Sequence, residues 1–117
     1  MFKRTLLALA TLVLATVPAF AHAVPKAMTP APDSTVSAPT EISMTFSEEL
    51  EPKFSVIKLL DNTGAVVSKG ASALDPADAK HMTLPLPRLP AGVYTVQWTS
   101  SATDGHRLSR TYTFTIK

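Results

Sequence analysis

The chain has no cysteine. That excludes disulfides, thiolate metal sites and a cysteine nucleophile, so any fold must be held by its core alone. It also lacks a membrane span: the apolar run Thr5–Val17, closed by Pro18, falls well short of the roughly 20 residues that cross a bilayer as a helix. No Lys/Arg stripe runs along it, which gives no support for nucleic-acid binding. No nucleophile motif of the G-x-S-x-G kind is present, so nothing points to turnover. There is no internal repeat, no low-complexity tract, and no segment with a convincing helical period. One domain at most fits 117 residues.

What is present begins with a leader. Lys3 and Arg4 form a basic patch, Thr5–Val17 an apolar run, and Ala19-Phe20-Ala21 a small-residue cleavage site. This pattern predicts a secretory signal peptide over residues 1–21 and a mature domain over residues 22–117, with no membrane insertion after cleavage. Removing Lys3 and Arg4 takes Lys+Arg from 11 to 9, equal to Asp+Glu at 9. The basic character of the full chain is therefore partly a targeting feature.

The remaining pattern is that of strands. Val24–Met28 is short, and Pro25 suits an edge because it cannot donate to a ladder. Thr29–Ser34 is a turn region, followed by Glu41–Phe46, in which Ile42, Met44 and Phe46 alternate with polar residues. Ser47–Pro52 is an acidic connector, read as at most one helical turn stopped by Pro52. Phe54–Asp61 is a second apolar run, Asp61-Asn62-Thr63-Gly64 a hairpin turn, and Ala65–Ser68 its return strand. Ala71–Lys80 reads as small, polar and irregular, with Asp75-Pro76 starting a turn; His81–Leu86 is extended, and Pro85, Pro87 and Pro90 exclude a long helix. In Gly92–Ser100 the side chains Tyr94, Val96 and Trp98 share one face, and Thr111–Lys117 repeats the device with Tyr112, Phe114 and Ile116. Leu89–Tyr94 suits a tyrosine corner. The expected fold is all-β: a small antiparallel Greek-key sandwich or barrel of six or seven strands.

Three residues stand out against this framework. A chain cut after Ala21 starts at His22, whose freed α-amine and Nδ1 can close a six-membered chelate ring on one ion. The amine, with a pKa of roughly 8, gives up its proton readily to a strong Lewis acid. Asp104 and His106 flank Gly105 in a short polar loop and can reach one target, since positions i and i+2 of an extended segment face the same side. Three nitrogens and one oxygen suit tetragonal Cu(II), which heads the divalent affinity order. Zinc accepts the same ligands but favours a tetrahedron and ranks below copper.

The residues at His22, Phe46-Ser47-Glu48-Glu49-Leu50, Leu89–Trp98 and Ser101–His106 together resemble the CopC family across the whole mature chain. The resemblance implies a periplasmic copper-binding protein with a cupredoxin-like, immunoglobulin-like fold, acting in copper resistance or homeostasis. It implies one Cu(II) ion held by His22, Asp104 and His106, with Glu48 matching a glutamate near the family's site. It also implies a copper carrier or buffer, not an enzyme, whose partners include an inner-membrane copper transporter.

Two departures accompany it. Some relatives bind Cu(I) in a Met-rich loop, whereas Leu59–Val66 here holds no methionine. Thioethers are the ligands Cu(I) selects, so no convincing Cu(I) site is expected, and His81-Met82 is an isolated pair. Arg110 stands where many relatives have glycine. Two rival readings use the same fold: a metal-free structural immunoglobulin-like module, and a histidine-brace copper oxidase acting on polysaccharide.

Overall fold

The computed structural model describes Leu12, residues 22–68 and residues 70–117. The leader expected over residues 1–21 lies, Leu12 apart, outside the described residues. No helix among those described is long and apolar enough to cross a membrane.

Strand β1 is Pro25–Thr29, β2 Thr35–Val36, β3 Glu41–Phe46, β4 Val56–Leu60, β5 Ala73–Asp75, β6 Asp78–Pro85, β7 Gly92–Ser101 and β8 Arg107–Ile116. They form two four-stranded sheets, ordered β1-β3-β6-β5 and β2-β8-β7-β4. Every named pair is antiparallel except β2 with β8, which runs parallel through Thr35 opposite Thr115 and Val36 opposite Ile116. Pro25 lies in an edge strand, as its missing N–H requires.

The period-2 pattern sorts the side chains. Ile42, Met44, Phe46, Met82 and Leu84 line the inner face of the first sheet. Ile57, Leu59, Tyr94, Val96, Trp98, Phe114 and Ile116 line that of the second, and all are buried in one core. Burying each such large apolar side chain is worth about 1.5–3 kcal/mol before chain entropy is counted, so the two facing rows hold the sandwich without covalent help. Phe46 and Trp98 meet edge to face across the layers, ring centroids 5.6 Å apart. The Tyr94 hydroxyl donates to the Pro90 carbonyl at 2.7 Å, the tyrosine corner anticipated from the sequence.

Some expectations fail for local reasons. Ala65–Ser68 is no full strand, because only Val66 bridges Leu60. Asp61 keeps the preceding turn closed by accepting from the Thr63 and Ala65 N–H groups, at 2.9 and 3.1 Å. The small, polar stretch Ala71–Lys80, in which Asp75-Pro76 was expected to start a turn, holds that turn inside a hairpin joining β5 and β6, two strands the pattern did not mark there. Its turn is built by Asp75, which accepts from the Ala77 N–H at 2.8 Å. Alanine and aspartate carry little strand signal, and pairing with β6 overrides it. The helical turn lies past the acidic connector, at Pro52–Phe54, where proline opens the turn instead of stopping it.

Candidate metal centre

The chain is fastened into the fold from Ala23 onward. Ala23 is buried in the core, and its carbonyl accepts from the Ser100 hydroxyl at 2.6 Å. The Val24 N–H donates to the Ser47 hydroxyl at 3.1 Å, and that hydroxyl donates to the His22 carbonyl at 3.3 Å. The Ser47 N–H in turn donates to the Val24 carbonyl at 2.8 Å. His22 is therefore the exposed tip of a short arm whose base is packed.

The arm ends beside the β7–β8 connection. Ala102, buried and bridged to Leu50, receives the loop: its N–H donates to the His106 carbonyl at 3.0 Å, and the Gly105 N–H donates to the Ala102 carbonyl at 2.9 Å. Gly105 sits at φ +91°, a left-handed conformation that glycine adopts without a Cβ penalty. Inside the loop Asp104 works twice. One carboxylate oxygen accepts from the His106 N–H at 3.0 Å, and the other faces His106 Nδ1 at 3.2 Å. The His106 N–H, chiefly, holds the Asp104 carboxyl below its ordinary value; the His106 ring and the nearby His22 act the same way. The carboxylate is thus ready as an anion.

His22 and His106 meet across this junction, their ring centroids 5.5 Å apart and their planes at 85°. All three residues singled out in the sequence are gathered at one end of the sandwich. Among the described residues no group of three or more His, Asp or Glu side chains is placed to hold a metal ion. Within the loop Asp104 and His106 partner one another. The side chains gathered here offer nitrogen and hard oxygen without sulfur, a donor chemistry that suits Cu(II).

Glu48 is exposed on the connector, and its neighbour Ser47 makes the contacts to the arm. Ser47 and Ser100 escaped the reading of the sequence because serine carries no metal chemistry. Only the inward register of Ser100, two positions after Trp98, marks it. His81 and Met82 diverge on β6: Met82 is core, while the His81 ring lies against Ser43 and Thr45 on the outer face, Nδ1 3.1 Å from the Thr45 hydroxyl. Adjacent strand residues point to opposite faces, so they do not form a ligand pair.

A two-sheet sandwich with an exposed histidine on a short arm set against an Asp-Gly-His loop defines a class of small all-β domain. The chain belongs to the CopC family: the CopC domain model matches residues 25–117. It is 41% identical over 111 residues to a copper resistance protein C of Escherichia coli, covering 85% of this chain and 84% of that protein. A copper transport protein, CutJ of Bacillus subtilis, is 31% identical over 99 residues, which make up 83% of this chain but 18% of that longer protein. Among solved structures, the methionine-rich copper resistance protein PcoC of Escherichia coli superposes with a TM-score of 0.73 at 37% identity, covering 83% of this chain and all of that one (100%). CopC of Methylosinus trichosporium OB3b gives 0.72 at 30% identity, covering 82% and 94%.

Proposed function

We propose that this chain is a periplasmic Cu(II) carrier or buffer that binds one ion through the α-amine and imidazole of His22, the Asp104 carboxylate and the His106 imidazole. The observation that carries the reading is the approach of the His22 ring to His106 beside Asp104, on an arm and a loop that are each anchored by backbone hydrogen bonds. Anchored backbones reduce the freedom that binding must remove, leaving the side chains of His22, Asp104 and His106 to order around the ion. Glu48, one residue beyond the Ser47 that bonds the arm, acts as an outer partner of the ligands.

Copper here is cargo. The chain's own residues take it up, hold it as Cu(II), and release it when a stronger set of ligands competes. The receiver is an inner-membrane copper transporter; support comes from CutJ, a copper transport protein that contains a stretch similar to this chain. Export and signal removal after Ala21 are part of the function, because only the cut frees the amine.

The test is a Cu(II) titration of two proteins, one starting at His22 and one retaining Ala21. The first binds one ion tightly, with a d–d band and a tetragonal EPR spectrum; the second binds far more weakly. Equal affinity in the two proteins refutes the amine chelate. Absence of saturable binding in both leaves a metal-free structural module.

A further inference from the structure

The inner face of β7 reads Tyr94, Val96, Trp98 and then Ser100, every one of them buried. A hydroxyl at the fourth inward position breaks an apolar series, and burying it without a partner costs about 1–3 kcal/mol. Alanine would serve the packing of the two sheets equally well. What the hydroxyl has in exchange is a 2.6 Å hydrogen bond to the Ala23 carbonyl, which crosses the interior to the N-terminal arm.

Ser100 is also tied to the other half of the site. Two residues on, just past the end of β7, lies Ala102, whose N–H closes the loop onto the His106 carbonyl at 3.0 Å. Ser100 itself pairs with Leu108 of β8, two residues past His106. This side chain therefore links the arm carrying His22 to the strand that leads into the Asp104–His106 loop. The Ser47 hydroxyl fastens the same arm from the opposite sheet through Val24 and His22.

We propose that Ser100 is a positioning residue for copper binding: its buried hydroxyl holds the base of the His22 arm so that amine and imidazole face the Asp104–His106 loop. This rests on the Cu(II) reading given above. It makes Ser100 a determinant of affinity although it touches no ion.

A two-by-two comparison tests it. Ser100→Ala is made in the protein starting at His22 and in the protein retaining Ala21, and each is titrated with Cu(II) and examined by EPR. In the His22 protein the substitution weakens binding about tenfold, the size of one lost hydrogen bond, and shifts the spectrum towards fewer nitrogen ligands. Amide exchange at Ala23 and Val24 of the copper-free protein quickens. In the Ala21-bearing protein the same substitution changes affinity much less, because the His22 amine is locked in an amide and the arm can no longer close the chelate.

Unchanged affinity and spectrum in folded Ser100→Ala overturn the proposal. An equal loss in both backgrounds also overturns it, since that is the mark of a general disturbance of the loop. Failure of the copper reading itself is seen separately, in the unsubstituted pair, where retaining Ala21 then has no effect. Should Ser100→Ala not fold, Ser47→Ala runs through the same comparison, because its hydroxyl holds the same arm from a more open position.

Discussion

The imidazoles of His22 and His106 stand edge to face, 5.5 Å between centroids, although one belongs to the first residues of the described fold and the other to the last connection. Neither strand pairing nor the core brings them directly together. The contact is produced at one remove, by Ser47 and Ser100 holding the arm and by Ala102 and Gly105 shaping the loop.

His106→Ala removes a ligand nitrogen together with the partner of the Asp104 carboxylate. Isothermal titration with Cu(II) gives a loss larger than the roughly 10–100-fold typical of a missing outer partner. Glu48→Gln, at an exposed position, stays inside that range. A Glu48 effect equal to that of His106 would make it a direct ligand.

Gly105→Ala places a Cβ at φ +91°. No atom crowds the added methyl group, so the cost is backbone strain alone, about 1–2 kcal/mol. Chemical denaturation reads the loss. Copper affinity falls with it, because the residue sits between both loop ligands.

Tyr94→Phe separates stability from binding. It removes the 2.7 Å bond to the Pro90 carbonyl, worth about 1 kcal/mol. Tyr94 lies near the start of the ten-residue β7 and the loop at its finish, roughly 20 Å away at 3.3 Å per residue. Melting therefore shifts down while Cu(II) affinity stays the same.

Tyr112 supplies a pH signature. Burial raises its phenol from 10.0 to about 12. A group whose folded value is raised contributes stability that is complete below the unfolded value and is lost as pH climbs through the folded one. Unfolding free energy should decline between about pH 10 and 12, and Tyr112→Phe should flatten that decline. The substitution also lowers stability at neutral pH, by removing the 2.9 Å bond to the Pro30 carbonyl.

Much of this architecture could be read from the residue pattern. Glu41–Phe46 has the bounds expected of it, and the strand from Gly92 runs one residue longer than expected. Both alternate apolar and polar side chains over most of their length, the strongest short-range signal of a half-buried strand. Strand β5 carried no such signal, since alanine and aspartate are paired there by their neighbour and not by preference. His22, Asp104 and His106 were legible as candidate ligands because their atoms carry the chemistry, and the structure brings them to one end of the sandwich. Ser100 was not, because its importance lies in an acceptor at the far end of the chain, which no local pattern encodes.

Ala23 is almost fully enclosed, and the Val24 N–H is already spoken for by Ser47. An aminopeptidase needs a few residues of free, extended chain to engage a substrate. A protein processed to start at His22 offers it a single residue outside the packed body. If His22 is the processed terminus and binds through its amine, the fold itself shields that residue from trimming.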